Sequence, residues 1–399
     1  MLKVGINTYE FYKWAGGRDI LIYIAKNAKF QEKTKLEFII PKNDINFKIN
    51  RFLYFVKQLI KNMSTLNFTI PKNNPFDFNK IKDFFSTIDN INCVEYSSSK
   101  KLYYKQLNSS DYDIVLPFLE PPIGDIKFNW VGYITDYQHK YYEKLFQKKE
   151  LIRRDNYLDQ LTSKAKSIIV NAHNVKDDIL KFHANSNASI HILPFTPDLQ
   201  SNFESQSGFN IKQYGIDLPF FIISNQFWIH KNHITAFKAF KKFLNDYSEN
   251  YQLVCTGLQE DPRKKDHFEL LKKYVLKNNL EKKVLFLGHV SKKDQLNLIF
   301  KSEAMIQPTL FEGGPGGGCV VDAMRLNKPI IISDIIINKE LPPSDKIIFF
   351  NPMSANDLKN KLVEFDKNKL LFNSNYSRIK DKEERWKTFW NNIYSEFDG

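Results

Sequence analysis

Residues 308–333 read PTLFEGGPGGGCVVDAMRLNKPIIIS, and this stretch decides the fold. The short apolar run before it, 303–306, predicts a buried strand that ends at Pro308. A helix follows the glycines and stops at Lys328-Pro329, and residues 330–332 predict the next strand. Strand, glycine turn and helix in this order are typical of doubly wound α/β sheets.

Five glycines crowd the turn of this stretch: Gly313, Gly314, Gly316, Gly317 and Gly318. Glycine lets the backbone approach a ligand closely and adopt positive φ without steric cost. The N-terminus of the following helix offers free N–H groups and the positive end of the helix dipole. The turn therefore predicts a phosphate-binding site.

Two carboxylates bracket the glycine turn, Glu312 before it and Asp322 within the helix. Because carboxylates repel phosphate, we assign them to hydroxyl groups of a ribose or a sugar. The predicted ligand is anionic in the middle and hydroxylated at both ends, as a sugar nucleotide is.

The same residues resemble the signature of the family 4 retaining glycosyltransferases of GT-B fold, in particular those of bacterial O-antigen and capsule synthesis. The matching pieces are Glu312, Gly313-Gly314-Pro315, Asp322-Ala323-Met324, Lys328-Pro329 and Ser333-Asp334. The family usually has seven residues between two glutamates, whereas here the loop is longer and the second acid is Asp322. The resemblance implies that Glu312 contacts the donor sugar and Asp322 the donor ribose.

Length and composition favour two α/β domains without a membrane span. The chain has 399 residues, a length above that at which a single hydrophobic core stops growing. Hydrophobic residues make up 42% of it, enough for full cores. The first residues predict a strand and not a signal peptide, and no window of 18 consecutive apolar residues occurs. Three widely separated cysteines, Cys93, Cys255 and Cys319, are expected to be reduced thiols of a cytoplasmic protein.

The formal net charge of +13 does not indicate a nucleic-acid partner. Lysine accounts for most of the 58 basic residues, whereas sequence-specific readers of DNA rely on arginine. No basic run is interleaved with aromatic residues, and no zinc or helix-turn-helix pattern occurs. The charge favours contact with an anionic membrane surface instead.

Gly16, Gly17 and Arg18 form a second candidate site, between a strand at 2–7 and a helix expected from Asp19 to about Lys29. The resemblance implies that the two glycines face the cleft between the domains and contact donor or acceptor. It also implies that Arg18 contacts a phosphate. A plain turn before a helix is the alternative.

The strand WVGYIT at 130–135 leads into Asp136-Tyr137-Gln138-His139. Polar residues at the C-terminal end of a parallel strand point into the ligand cleft. The resemblance implies that His139 lies beside the reacting sugar, and a histidine that caps the next helix is the alternative. Asp111-Tyr112-Asp113 precedes a strand, the wrong end for a ligand site, and is interpreted as a solvated turn.

The loop 224–233 joins a strand to a helix in the second half of the chain. The resemblance implies a basic pair here, of which Lys231 matches the lysine while Gln226 stands in the place of the arginine. A charge at Lys231 stabilises a departing diphosphate, and a solvated basic loop is the alternative. His230 and His233 lack a third ligand, so we discount a metal site.

Three further segments carry predictions. The resemblance implies that the turn at His289 and Val290 holds the nucleotide base through backbone groups. The helix 51–63 is basic and amphipathic, so it either lies on a membrane or packs on its own sheet. The final helix, 382–397, is expected to cross back onto the first domain, as in GT-B enzymes.

We predict a GT-B fold with two facing Rossmann-like doubly wound domains and a central cleft. The expected acceptor-side domain is 1–197 with the C-terminal helix 382–399, the linker is 198–217, and the nucleotide-sugar-binding domain is 218–381. The predicted function is retaining transfer of a sugar from a nucleotide-sugar donor to a growing, lipid-linked surface glycan, without metal or cofactor. A nucleotide-sugar epimerase of the same architecture and a non-catalytic scaffold of glycan assembly are the alternatives.

Overall fold

The computed structural model describes residues 2–28, 34–64, 77–86, 91–197, 208–373, 376 and 381–397. In these residues the chain forms two parallel β-sheets covered by helices. The predicted linker 198–217 lies partly outside the described residues.

The first sheet has seven described strands in the order β3-β2-β1-β4-β5-β6-β7, all parallel. The sequence order reverses between β1 and β4, which makes a topological switch point. The strands are β1 Leu2–Asn7, β2 Thr34–Pro41, β3 Asn92–Tyr96, β4 Ile114–Phe118, β5 Asn129–Ile134, β6 Ser167–Val170 and β7 Ser189–Ile192.

The second sheet has six described strands in the order β10-β9-β8-β11-β12-β13, again all parallel. Its switch point lies between β8 and β11. The strands are β8 Phe220–Ser224, β9 Gln252–Thr256, β10 Val284–Gly288, β11 Met305–Gln307, β12 Ile330–Ser333 and β13 Ile347–Phe350. Runs such as Ile330-Ile331-Ile332 are buried on both faces, as strands covered by helices on each side must be.

The helices of the described residues connect the strands of each sheet. They are α1 Ala15–Asn27, α2 Ile45–Ser64, α3 Phe78–Phe85, α4 Lys100–Asn108, α5 Gln138–Tyr141, α6 Lys148–Lys164, α7 His173–Phe182, α8 His233–Asp246, α9 His267–Lys277, α10 Lys292–Lys301, α11 Gly317–Arg325, α12 Ala355–Lys367 and α13 Lys382–Ser395. Two 3-10 turns, Ile229–Lys231 and Ile336–Glu340, matter for the site below. This is the predicted α/β architecture of two facing doubly wound sheets.

The last helix, α13, crosses back to the first sheet as predicted. Trp386 is fully buried in a core cluster that contains Val4 and Leu21. Its indole Nε1 donates a hydrogen bond to Thr196 Oγ1 at 2.8 Å, and the Tyr394 hydroxyl lies 2.8 Å from Thr34 Oγ1. The end of the chain therefore stabilises the domain in which the chain begins.

Two helices begin earlier than the sequence indicates. Helix α1 starts at Ala15, four residues before the predicted Asp19, so Gly16 and Gly17 lie in its first turn. Helix α2 starts at Ile45 and not at Arg51. Both starts lack the acidic first turn that usually marks a helix N-terminus, which explains why the pattern placed them late.

The two domains meet along the C-terminal edges of their sheets. Asn171 Nδ2 donates to the carbonyl of Gly313 at 3.1 Å, and the Tyr142 hydroxyl donates to the carbonyl of Leu310 at 3.0 Å. These contacts place the glycine-rich stretch of the second domain directly against the first domain.

Candidate active site

The site lies at the switch point of the second sheet, where β8 and β11 end. Each strand finishes in a buried amide: Asn225 directly follows β8, and Gln307 closes β11. Asn225 Nδ2 donates to Gln307 Oε1. Because ligands of open parallel sheets bind at this position, the amide pair marks the floor of a ligand site.

Lys231 and Glu312 form an ion pair above this floor. The Lys231 ammonium lies 2.5 Å from Glu312 Oε1, and both side chains are largely buried. Gln307 Nε2 also donates to Glu312 Oε1, at 3.1 Å. The 3-10 turn 229–231 directs Lys231 to this position, and the carbonyl of His230 accepts the N–H of Leu310 at 2.8 Å.

The glycine turn ends at the N-terminus of α11, beside the same carboxylate. Gly316 and Gly317 adopt left-handed φ values of 67° and 72°. A Cβ on Gly317 would lie 3.0 Å from Glu312 Oε2, and one on Gly316 would lie 2.5 Å from Val320 Cγ1. A Cβ on Gly318 would meet nothing within 4 Å, so the open side of the turn is at Gly318.

Lys231 and the glycine turn therefore converge. The carboxylate of Glu312 touches the ammonium on one side and lies over Gly317 on the other. A helix N-terminus and a lysine ammonium on either side of one carboxylate together favour an anionic ligand beside them. The binding of a diphosphate between Lys231 and Gly316–Gly318 stays a prediction.

Asp322 is buried one turn farther along α11 and pairs with a lysine that the sequence analysis did not select. Lys292 Nζ, at the start of α10, lies 2.5 Å from Asp322 Oδ2. The Lys292 side chain is half exposed, whereas Asp322 is buried. Desolvation raises the pKa of Asp19 in α1, and the charges of Lys292 and Asp322 also act on this carboxyl group.

Gly313 and Gly314 lie against the first domain. A Cβ on Gly313 would come within 2.7 Å of the carbonyl oxygen of Thr135, and one on Gly314 within 3.2 Å of Asn171 Cβ. Glycine at these two positions allows the domains to approach each other. Their assignment to the donor stays a prediction, and the contact they make here is between domains.

His139 is buried, with 1% of its surface exposed. Its Nε2 lies 2.8 Å from Asp155 Oδ1, which Lys140 also contacts at 2.8 Å. Burial lowers the pKa of His139 despite this carboxylate, so the imidazole is neutral at pH 7. With Nε2 donating to Asp155, Nδ1 is an acceptor, and it is buried without a partner in the described structure.

Gly16 and Gly17 are covered by the ring of Trp14, which directly precedes α1. A Cβ on Gly16 or Gly17 would lie 2.9 Å or 2.5 Å from atoms of this indole. Arg18 donates to the carbonyl of Tyr12 at 2.7 Å, and its guanidinium lies 5.4 Å from the centre of the Phe84 ring. The structure thus directs Arg18 toward protein groups, and its phosphate contact stays a prediction.

The remaining predicted donor residues lie on loops of the second domain at the same sheet edge. Gln226 is partly exposed in the loop after β8, and Gly257 packs against this loop. A Cβ on Gly257 would lie 2.0 Å from the Asn225 carbonyl oxygen, so only glycine fits there. His289 is exposed and Val290 half-buried after β10.

Comparison with known proteins identifies the second half of the chain. Residues 207–386 match the family model described as Glycosyl transferases group 1. This part of the chain is therefore similar to the glycosyltransferase group 1 domain. The O-antigen chain mannosyltransferase RfbU of Salmonella typhimurium is 27% identical over 219 residues, which are 55% of this chain and 56% of RfbU. The chain thus matches about half the length of that relative.

Solved structures show that the whole chain has the GT-B fold. Anabaena Alr3699/HepE, in complex with UDP-glucose, has a TM-score of 0.63 at 13% identity and covers 99% of this chain and 100% of its own. WaaG, a glycosyltransferase involved in lipopolysaccharide biosynthesis, has a TM-score of 0.56 at 12% identity. The match covers 99% of this chain and 97% of WaaG. At sequence identities this low, the similarity to these structures concerns the fold alone.

The second domain also contains a buried histidine cluster near Lys231. Burial lowers the pKa of His230 to about 2 and that of His233 to about 3. The ring of His233 stacks on Phe227 with centroids 4.4 Å apart. No group of three or more His, Cys, Asp or Glu side chains in the described residues is arranged to hold a metal ion.

Arg263, which the sequence analysis did not select, connects the second domain to the first domain. Arg263 Nη1 donates to Gln138 Oε1 at 2.8 Å, and its guanidinium lies 4.3 Å from the centre of the Phe146 ring. Within the first domain, Arg154 Nη1 lies 3.6 Å from Asp136 Oδ1. Asn225 and Gln307 were also not selected, although a polar residue that closes an apolar strand is a signal that was available.

Proposed function

We propose that the protein is a retaining, metal-independent glycosyltransferase that moves a sugar from a nucleotide-sugar donor to a growing, lipid-linked surface glycan. The convergence of Lys231 and the α11 N-terminus on one position beside Glu312 carries this proposal. The match of residues 207–386 to a glycosyltransferase family supports transfer over epimerisation or a scaffold role. The similarity to an O-antigen mannosyltransferase supports a surface-glycan acceptor.

In this proposal the donor diphosphate lies between Lys231 and the amides of Gly316–Gly318. Glu312, held by Lys231 and Gln307, accepts a hydrogen bond from a hydroxyl of the donor sugar. Asp322 accepts one from the ribose. The fixed ammonium and the helix dipole supply the positive charge that a leaving diphosphate needs, because preorganised donors stabilise charge as it develops.

The proposed reaction takes place on one face of the donor sugar. The bond between the anomeric carbon and the diphosphate oxygen breaks while the acceptor hydroxyl attacks the same face. The acceptor proton passes to the departing phosphate oxygen. Lys231 stabilises the negative charge on the diphosphate throughout, and closure of the two domains excludes water.

His139 is proposed to lie beside the reacting sugar as a hydrogen-bond acceptor and not as an acid. The Nε2–H group donates its hydrogen bond to Asp155, and the lowered pKa keeps the ring neutral. Its unpartnered Nδ1 is then the atom that a sugar hydroxyl satisfies. Because the ring is buried, this contact requires the surrounding residues to shift when the substrate binds.

Binding to UDP-, GDP- and dTDP-sugars tests the proposal. A donor present at 100 times its Kd stabilises the fold by about 2.7 kcal/mol in thermal unfolding. Turnover of the bound donor by wild type should depend on an added glycan acceptor, whereas an epimerase converts the donor alone. Absence of binding to every sugar nucleotide contradicts the proposal.

Lys231→Ala is the decisive variant. Loss of one preorganised charge at the leaving group should lower kcat by about 10²- to 10³-fold. Lys238→Ala, an exposed lysine of α8, is the matched control and should keep wild-type kcat. A scaffold protein would instead tolerate Lys231→Ala and Glu312→Ala without loss of glycan assembly.

We further propose that α2 contacts the cytoplasmic face of an anionic membrane. Its apolar residues Ile45, Ile49, Phe52 and Leu53 follow a helical stripe, and Phe52 and Leu53 are 64% and 57% exposed. Lys48, Arg51 and Lys57 are exposed on the same helix. An exposed apolar stripe with basic neighbours fits a lipid surface better than packing on the sheet. In the described residues, none of the helices has both the length and the apolar character to cross a bilayer.

Sedimentation with lipid vesicles tests this contact. Wild type should bind vesicles that contain anionic phosphatidylglycerol more strongly than vesicles of phosphatidylcholine alone. The double variant Phe52→Asp, Leu53→Asp should abolish the preference for anionic vesicles. Leu102→Asp, at an exposed position of α4, should preserve it. Equal binding of all variants would overturn the contact.

A further inference from the structure

The 3-10 turn 336–340 of the second domain contacts the first domain through two of its side chains. Ile337 is buried in a core cluster of the first domain together with Val170 and Val175. The two carboxylate oxygens of Glu340 accept the backbone N–H groups of His173 and Asn174, each at 2.8 Å. These N–H groups belong to the first turn of α7, where a carboxylate is stabilised by the helix dipole.

Between these two residues, Asn338 reaches in the opposite direction, to the glycine turn. Its Oδ1 accepts the N–H of Gly316 at 3.0 Å, and its Nδ2 donates to the carbonyl of Ser333 at 2.9 Å. Asn338 is fully buried. Gln307 Nε2 donates to the Gly316 carbonyl at 2.8 Å, so both polar groups of Gly316 are held.

Gly316 is the residue on which the shape of the glycine turn depends. Gly316 has left-handed φ and immediately precedes α11, whose first turn contains Gly318 and the space open beside it. A small rotation at Gly316 therefore redirects the first N–H groups of α11. Since Asn338 and Glu340 are two residues apart on one short turn, the position of α7 and the orientation of the glycine turn are mechanically connected.

We propose that the turn 336–340 is a relay through which contact with the first domain sets the affinity of the glycine turn for a diphosphate. Asn338 is the positioning residue and Glu340 is the residue that senses the first domain. The relay rests on the proposed function for the identity of its ligand, a nucleoside diphosphate. Because coupling between two sites is reciprocal, a bound diphosphate must in turn strengthen the contact of Glu340 with α7.

Hydrogen exchange measured by mass spectrometry tests the relay without any assumption about the reaction. Glu340→Ala removes the contact with α7 and leaves every residue of the glycine turn unchanged. We expect at least fivefold faster exchange in the peptide covering residues 313–320, as well as at His173 and Asn174. Lys339→Ala is the matched control on the same turn, since its exposed ammonium pairs with Asp334, and it should exchange like wild type.

Nucleotide binding provides the second measurement. Glu340→Ala should weaken the binding of whichever of UDP, GDP and dTDP wild type prefers by about threefold to tenfold, and Asn338→Ala by more. Glu340→Gln, which retains one acceptor oxygen, should give an intermediate Kd. Saturating nucleotide should slow exchange at His173 and Asn174 in wild type but not in Asn338→Ala.

A purely structural role for Glu340 gives a different result. In that case Glu340→Ala accelerates exchange at His173 and Asn174 only, while residues 313–320 and the nucleotide Kd stay as in wild type, and the relay is overturned. If none of the three nucleotides binds to wild type, the proposed function fails. The exchange of residues 313–320 in Glu340→Ala still decides whether the two contacts are coupled.

Discussion

In the pair Lys292–Asp322, the lysine compensates for the shorter side chain of the aspartate. Asp322 is one methylene shorter than the glutamate that the resembled family has, and Lys292 holds its carboxylate from the neighbouring helix. A carboxylate that is buried without a partner is costly, so the contact with Lys292 compensates for part of the cost of burying Asp322. Lys292 thus orients the group proposed to bind ribose.

Lys292→Ala should therefore weaken nucleotide binding by about threefold to tenfold, the effect of one partly solvated charge contact. Isothermal titration with the preferred nucleotide measures it. Lys293→Ala removes a neighbouring exposed lysine and should bind as wild type does. Equal Kd values for the two variants would show that Lys292 does not orient Asp322.

His233 makes the stability of the protein depend on pH. Its pKa is lowered by burial to about 3 in the folded chain, against 6.5 when exposed. The unfolded chain therefore binds the additional proton between these values. The contribution of His233 is complete above pH 6.5, and stability falls by about 1.4 kcal/mol per pH unit as the pH drops toward 3.

His233→Phe should remove this dependence while keeping the stacking on Phe227. Urea unfolding at pH 7.5, 6.0 and 5.0 should show a stability difference between variant and wild type that grows toward acid. A difference that is the same at all three pH values would contradict a neutral, buried His233.

At the scale of elements, the start of α11 combines a strained position with an open one. Gly316→Ala places a Cβ 2.5 Å from Val320 and forces left-handed φ on alanine. Left-handed backbone alone costs about 1–2 kcal/mol, and the contact adds to it. Gly318→Ala meets no atom within 4 Å, and alanine in a helix is favoured by up to about 1 kcal/mol.

Urea unfolding should therefore rank Gly316→Ala well below wild type and Gly318→Ala at or above it. Nucleotide binding should be weaker in both variants, because the Cβ at Gly318 enters the side open to the ligand. If Gly318→Ala binds nucleotides as tightly as wild type, the phosphates do not lie against Gly318.

The sequence predicted these elements well where local patterns decide them. Buried strands such as Ile114–Phe118 were placed correctly, because continuous apolar residues bounded by turns leave few alternatives. Strand β3 and helices α3, α4 and α12 were not assigned, although the apolar residues of α3 follow a helical period and Ile81 and Phe85 are buried. The early start of α1 was missed because its first turn contains two glycines and no acidic residue.

The same distinction separates the site residues that the sequence indicated from those that it did not. The glycine turn, Glu312, Asp322 and Lys231 were selected because residue type and position within a motif indicate their chemistry, and the structure brings Lys231, Glu312 and the turn together. Lys292, Asn338 and Glu340 were not, because their roles arise from partners 22 to 167 residues away in sequence. The burial of His139 likewise follows from packing between α5 and α6.

For the whole molecule, α13 decides whether the first domain is stable. Trp386 is fully buried and hydrogen-bonded to Thr196. Trp386→Ala should lower the free energy of unfolding by about 3–5 kcal/mol, as large core deletions do. Trp386→Phe keeps most of the packing and should cost about 1 kcal/mol for the lost hydrogen bond. Urea unfolding followed by circular dichroism measures both, and equal losses would show that packing of the ring is not the main contribution.

The close approach at Gly313 and Gly314 limits how the two domains of this chain can be recombined with those of relatives. Thr135 leaves no room for a Cβ opposite Gly313, and Asn171 leaves little room for one opposite Gly314. A chimaera that joins the first domain of this chain to the second domain of a relative therefore needs glycine at the first of these positions and glycine or a small residue at the second. Larger side chains there would hold the two domains apart, and an exchange of domains would return hybrids whose halves fold but do not close on each other.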